Sequence, residues 1–168
     1  MPAAATAPAL TIRVQEADFD VGAELAALSA GNTGIGGIAS FVGLVRDVAP
    51  HGRGQSSMTL EHYPGMTEKQ LTAIAEEAMR RWPLETCLVI HRYGRLLPGD
   101  RIVLVGTASA HRAAALESCA FLIDWLKTRA PFWKIEDDGN AQRWVEARDS
   151  DDAAAARWAK APGSTESR

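Results

Sequence analysis

The chain has 168 residues, with 18 Lys and Arg against 21 Asp and Glu, a formal charge of −3 with histidines neutral. That length suits a single domain burying about two-thirds of the surface its unfolded chain exposes, so folding requires neither disulfide nor metal. A hydrophobic share of 46% and a charged share of 23% exclude a disordered composition, and the weak acidity argues against a general nucleic-acid binder while leaving room for a local basic site.

In chain order, residues 1–9 read as a frayed, alanine-rich tail: they lack the positive n-region of a signal peptide. Leu10 to Val14 alternates as a short strand, and Asp20 caps a helix from Val21 to Ala30. Ile35 to Val45 reads as a long strand whose early glycines point to a bulge or a close backbone approach. Asp47 to Gln55 is a loop, followed by a strand from Met58 to Tyr63 and a Pro64-Gly65 turn. Thr67-Glu-Lys-Gln70 has the form of a capping box opening a helix to Arg81, stopped by Pro83. Strands at Thr86–Tyr93 and Arg101–Ser109 flank the turn Leu97-Pro-Gly-Asp100, so they are expected as antiparallel neighbours. A helix from Arg112 to Thr128 ends before Pro131, and Phe132–Glu136 with Gln142–Ala147 form a final hairpin across Asp137-Asp-Gly-Asn140. These elements predict an α+β fold with one domain over 10–150, and a C-terminal tail over 151–168 that is partly mobile unless a partner holds it.

Several chemistries fail on spacing. Cys87 and Cys119 form no C-x-x-C pair, which removes zinc-ribbon and dithiol motifs and fits a reducing cytoplasm. Gly34-Ile-Gly-Gly-Ile-Ala39 has the letters of a dinucleotide fingerprint but opens a strand, so no helix N-terminus meets the phosphate. His51, His62, His91 and His111 lack metal-ligand spacing, and Ser109 lacks a nucleophile elbow. No apolar run reaches the roughly 18 residues of a membrane span, so a soluble cytoplasmic protein is expected.

The cationic residues are more informative. His111 and Arg112 stand where a strand passes into a helix, a ready anion site, although a solvated helix start accounts for them equally well. At about 100° per residue, Leu116, Ala120, Ile123 and Lys127 follow one stripe, which predicts a partly desolvated lysine able to act as base or nucleophile. The plainer alternative is a terminal lysine that snorkels to water. With Arg46 and Lys134 these residues are expected to gather in one cationic pocket for a phosphate-bearing molecule. Glu136 shares a strand face with Lys134 and is placed to orient it, or simply to form a cross-strand ion pair. Phe121, Trp125, Phe132, Trp133 and Trp144 are expected mostly in the core, with an exposed subset suited to an interface.

Five segments carry a resemblance: LEHYPGMTEKQL from Leu60, HRYGRLLPGD from His91, SAHR from Ser109, LKTRAPFWK from Leu126 and RWVEAR from Arg143. In this order they closely resemble the catalytic, large subunit of molybdopterin synthase, over roughly Ile35 to Trp158. The resemblance implies an α/β-hammerhead fold with an additional antiparallel β-sheet, a homodimer of large subunits, and a small ubiquitin-like sulfur-carrier subunit at each end, making a heterotetramer. The implied reaction inserts two sulfurs into cyclic pyranopterin monophosphate, each delivered as a thiocarboxylate on the carrier's C-terminal Gly-Gly, with no metal or other cofactor. By the same resemblance, Lys127 is the principal catalytic residue and Lys134 assists. Substrate-binding positions fall on Leu44, Val45, Arg46, His111, Arg112, Lys127, Lys134, Ile135 and Glu136. Family members often carry a basic residue where this chain has Ile135, so that position can supply only backbone or packing.

The residues make such chemistry sensible. Without paired cysteines the chain needs an external sulfur source, and its end at Glu166-Ser-Arg168 instead of Gly-Gly points to a separate carrier. The rival readings are a non-catalytic scaffold for a ubiquitin-like partner and a phosphate-ligand module without sulfur chemistry.

Overall fold

Strand-period alternation in the middle of the chain builds the central layer. The computed structural model describes residues 9–48, 56–145 and 149–159. The elements are β1 (Ala9–Gln15), α1 (Val21–Ser29), β2 (Gly37–Leu44), β3 (Ser57–His62), α2 (Met66–Arg81), β4 (Leu84–Arg92), β5 (Gly94–Leu96), β6 (Arg101–Ser109), α3 (Arg112–Arg129), β7 (Phe132–Asp137), β8 (Gln142–Val145) and α4 (Asp149–Ala156). One four-stranded sheet has the order β1-β4-β6-β2 and the other β5-β3-β7-β8. β1 runs parallel to β4, whereas every other pairing is antiparallel. The result is the expected α+β fold with an additional antiparallel sheet.

Along β4 the side chains divide by parity. Cys87 and Val89 join the core beneath α2 and α3, with Leu71, Ala75, Phe121 and Leu122. Leu88 and Ile90 join Phe19, Leu28 and Leu104 under α1. A third cluster of Val45, Met58, Leu60 and Leu96, flanked by Tyr93, Ile102 and Phe132, lies where the two sheets meet. Phe121 is fully buried, so truncating it to alanine would cost about 3–5 kcal/mol.

Local signals hold with shifts in detail. The Asp20 carboxylate accepts the Ala23 N–H at 2.9 Å, as an N-cap should. The turn before β6 is closed by the Asp100 N–H to the Leu97 carbonyl and by the Leu97 N–H to the Asp100 carboxylate. At α2 the capping box is not the expected one. Gly65, at φ 82°, is the cap, and the Glu68 carboxylate reaches back to its N–H at 2.7 Å. Thr67 lies inside the first turn, and its buried hydroxyl has no hydrogen-bond partner. The left-handed backbone available to glycine starts the helix two residues before the threonine.

The glycines of the β2 region do mark a close approach. A Cβ on Gly36 would stand 2.2 Å from the Ala110 carbonyl oxygen, and the β2–β6 register shifts between Gly43 and Leu44. Two elements had no expectation. The backbone turns at Gly94 (φ 88°) to make β5, carrying the chain from one sheet to the other. α4 straddles the expected domain boundary at 150 and packs on α3. Asp124 accepts from the Arg157 guanidinium and the Trp158 indole N–H, while Trp158 meets Trp82 and Phe121 edge-on. Packing therefore continues to Trp158, and residues 160–168 of the expected tail lie outside the described residues, as does the end of the second hairpin strand at Glu146 and Ala147.

Candidate functional site

α3 carries apolar residues on more than one face, and this decides where Lys127 points. Ala115, Cys119, Leu122 and Leu126, with Phe121 and Trp125, form the buried face. The stripe of Leu116, Ala120, Ile123 and Lys127 lies at the edge of that face, beside Ile38 and Phe41 of β2: Leu116 is 61% exposed and Lys127 is exposed. The expectation of a partly desolvated lysine continuing the buried face is thus corrected. Two adjacent apolar stripes share the helical period, and periodicity alone does not say which meets the sheet.

Lys127 lies in the last turn of α3, and its charge reaches His91 of β4. His91 lies in register with Val103 of β6, and Val103 with Gly43 of β2, so the lysine end of α3 is also the Leu44–Arg46 end of β2. Leu44 and Arg46 are exposed, but Val45 is buried. Its N–H donates to the Asp100 carbonyl at 2.9 Å and its carbonyl accepts the Gly99 N–H at 2.8 Å, which pins the strand end. Val45 therefore presents packing at this end of β2.

β7 brings in the second lysine. Its register with β3 pairs Phe132 with His62, Lys134 with Leu60, and Glu136 with Met58. By the two-residue period, Phe132, Lys134 and Glu136 face inward, over the cluster of Met58 and Leu60. Glu136 is part-buried and pairs with Arg143 at 3.3 Å across β8. The Glu136 carboxylate thus takes part in a cross-strand ion pair. Ile135 points the other way, with Trp133 and Trp144, which are 41% and 64% exposed.

His111 and Arg112 do not join this group within one chain. Both are exposed at the N-terminus of α3, and a helical rise of 1.5 Å per residue puts Arg112 about 22 Å from Lys127 along the axis. One chain therefore gathers Arg46, Lys127 and Lys134 at one end and His111 with Arg112 at the other. Ser109, beside them, is buried, and its hydroxyl donates to the Pro83 carbonyl at 2.8 Å.

Sequence reasoning passed over the wall behind the lysines. His91 stacks on Phe132, with ring centroids 3.7 Å apart, and His62 lies 4.3 Å from Tyr93 and 6.2 Å from Phe132. Burial pushes the His91 imidazole down to about 4, with His62 and Lys127 adding to the effect. Burial also pushes the Cys87 thiol up to about 12 and the Cys119 thiol up to about 11, so both stay protonated and unreactive at neutral pH. The available signal was His91 itself: it continues the Cys87–Val89 alternation where an aliphatic residue would be expected. Among the described residues no group of three or more His, Cys, Asp or Glu is arranged to hold a metal ion, and no helix is long and apolar enough to cross a membrane.

Comparisons with known proteins place the chain in a family. The MoaE protein family matches residues 14–129. A Pseudomonas aeruginosa protein described as molybdopterin synthase catalytic subunit is 60% identical over 149 residues, covering 89% of this chain and 99% of its own. A Ralstonia nicotianae protein of the same description is 59% identical over 148 residues, covering 88% and 84%. The solved structure of the molybdopterin biosynthesis MoaE protein from Burkholderia ambifaria superposes with a TM-score of 0.76 at 55% identity, over 89% of this chain and 97% of that one. The chain belongs to the MoaE protein family, that of the molybdopterin synthase catalytic subunits.

Proposed function

We propose that this chain is the sulfur-inserting subunit of a molybdopterin synthase. It converts cyclic pyranopterin monophosphate to the dithiolene of molybdopterin, with two sulfurs delivered as thiocarboxylate on the C-terminal Gly-Gly of a small ubiquitin-like carrier. The observation that carries this reading is the convergence of Lys127 and Lys134, from α3 and β7, at the end of β2 that bears Arg46. Three cations there suit a cyclic phosphate and an incoming thiocarboxylate. Lys127, exposed at the rim, is placed to meet the carrier's tail as base or nucleophile, and Lys134, on the inner face of β7, to stabilise developing negative charge. The relatives' description as a catalytic subunit supports a multi-subunit enzyme.

A homodimer resolves the position of His111 and Arg112. A two-fold axis that sets two α3 helices antiparallel lays the N-terminus of one beside the C-terminus of the other, so each lysine site receives its partner copy's His111 and Arg112. The outer side of β2 and α3 supports such a contact. β2 is an edge strand, and Ile38, Phe41 and Leu116 leave 40%, 41% and 61% of their surface exposed along it. The test is reconstitution with purified thiocarboxylated carrier and cyclic pyranopterin monophosphate, read by product mass. Formation of the dithiolene product supports the reading; binding of carrier or pterin without product favours the scaffold or ligand-module alternatives.

A further inference from the structure

One buried side chain holds the corner where β6 becomes α3. Ser109, the last residue of β6, is fully buried, and its strand is paired on both sides there, with Gly37 of β2 and Leu84 of β4 opposite it in register. Its hydroxyl donates to the Pro83 carbonyl at 2.8 Å and accepts the His111 N–H at 3.4 Å. Its own carbonyl accepts the Gly36 N–H at 3.0 Å. The Ala110 carbonyl, between Ser109 and His111, is so close to Gly36 that a Cβ there would stand 2.2 Å from its oxygen.

These bonds do for α3 what a capping box does elsewhere. In that box a Glu or Gln three residues into the helix takes the N–H of the N-cap residue. His111 is the N-cap of α3, and the residue three further on is Ala114, whose side chain has no acceptor. The Ser109 hydroxyl takes the N–H from outside the helix instead, and its own proton carries the restraint to Pro83, just before β4. A hydroxyl serves both ends because it has one donor and two acceptor lone pairs. His111 leaves this corner in extended backbone, at φ −126° and ψ 140°, and both its side chain and that of Arg112 are exposed. With no exposed surface, Ser109 can act on a ligand only through them.

We infer that Ser109 is a positioning residue for His111 and Arg112: its hydroxyl fixes the strand-to-helix turn so that both side chains meet the phosphate of the pterin at the lysine site of the second copy. The inference rests on the two-copy, sulfur-transfer reading and goes beyond it by naming what holds the anion-binding pair in place.

The full chain is assayed with thiocarboxylated carrier and cyclic pyranopterin monophosphate. Ser109→Ala removes the hydroxyl and Ser109→Thr keeps it. In the alanine variant KM for the pterin should rise about tenfold with kcat little changed, the signature of lost binding shared by ground and transition states, and threonine should restore much of it. If the alanine chain does not fold, Ser109→Cys, which fills the site with a weak hydrogen-bonding group, takes its place.

Mixed dimers show which site the serine serves. An equal mixture of refolded Ser109→Ala and Lys127→Ala chains should contain a component of wild-type KM amounting to about a quarter of the sites, because one site of each mixed dimer joins an intact Lys127 to an intact Ser109 corner. A mixture of Ser109→Ala with Arg112→Ala should contain none. Unchanged KM in a folded Ser109→Ala protein overturns the inference, and so does a loss confined to kcat. So does a Lys127→Ala mixture without the wild-type component, when Lys127→Ala and Arg112→Ala chains repair each other. If those two chains do not, the two-copy reading fails, and if the wild type yields no product the sulfur-transfer reading fails. Calorimetry of pterin binding then decides the role of Ser109 without turnover: Kd should rise about tenfold in Ser109→Ala and recover in Ser109→Thr, and an unchanged Kd overturns the inference.

Discussion

His91 of β4 and Phe132 of β7 stack with ring centroids 3.7 Å apart and planes 17° from parallel, joining the two sheets beneath the end of α3. The contact places a part-buried titratable ring in the seam, and stability should report it. The folded-state value of His91, about 4, lies below the ordinary 6.5, so the unfolded chain takes up the proton first. Its contribution is complete above about pH 6.5 and is lost as the pH falls towards 4, by an amount on the order of 3 kcal/mol. Denaturant melts across this window should show that loss in the wild type and a flatter profile in His91→Phe. Parallel profiles would mean that the ring is not buried neutral.

A second acid transition lies lower and elsewhere. Asp18 accepts two hydrogen bonds from Arg101, at 2.9 and 2.5 Å, and the Arg101 guanidinium, with the Phe19 N–H, holds its carboxyl down at about 2. Because the folded value is depressed, this stabilisation is present above about pH 4 and lost as the pH falls towards 2. Asp18→Asn should remove that loss and leave the profile between pH 6.5 and 4 unchanged. Loss of the higher transition as well would show that the two sites are coupled.

The approach of β2 to the start of α3 leaves no room for a side chain. Gly36→Ala would put a Cβ 2.2 Å from the Ala110 carbonyl oxygen, a backbone atom, and should cost about 3 kcal/mol of stability. Gly22→Ala in α1 meets only an ordinary 3.4 Å contact with the Asp20 carboxylate and should be neutral or slightly stabilising. Chemical denaturation of both variants checks the contrast. A Gly36→Ala protein as stable as the wild type would contradict the packing at this corner.

If each site takes Lys127 from one copy and Arg112 from the other, two inactive variants should repair each other. Lys127→Ala and Arg112→Ala chains, refolded as an equal mixture, should recover about a quarter of wild-type sites, because half the dimers are mixed and each of those holds one intact site. Sites contained within single chains would give no recovery above that of the separate variants.

Strand alternation and turn residues exposed most of the fold in advance, because β4, β6 and the β7–β8 hairpin are bounded by proline, glycine and aspartate in the expected places. β5 was hidden: three residues are too few to show a period, and its course depends on the backbone turn at Gly94. α4 was hidden because a run of Asp and Ala has no apolar stripe of its own, and the aromatic anchor at Trp158 lies beyond it. The lysines of the candidate site were visible through the LKTRAPFWK segment. The exposure of Lys127 was not, because Leu116 and Ile123 look the same to a periodicity argument whether they meet the sheet or a second copy. The separation of Arg112 from Lys127 was visible, because a helix from Arg112 to Thr128 sets them about 22 Å apart along its axis, although segments that resemble a family carry no information about which copy supplies a residue.

The most direct measurement is single-turnover dithiolene formation by Lys127→Ala, with thiocarboxylated carrier and cyclic pyranopterin monophosphate, read by mass spectrometry beside the wild type. Because Lys127 is exposed at the end of α3, the variant should melt like the wild type and still bind carrier, yet lose about two orders of magnitude or more in the rate of sulfur transfer. Wild-type transfer by a folded, carrier-bound Lys127→Ala protein would contradict the account at its centre.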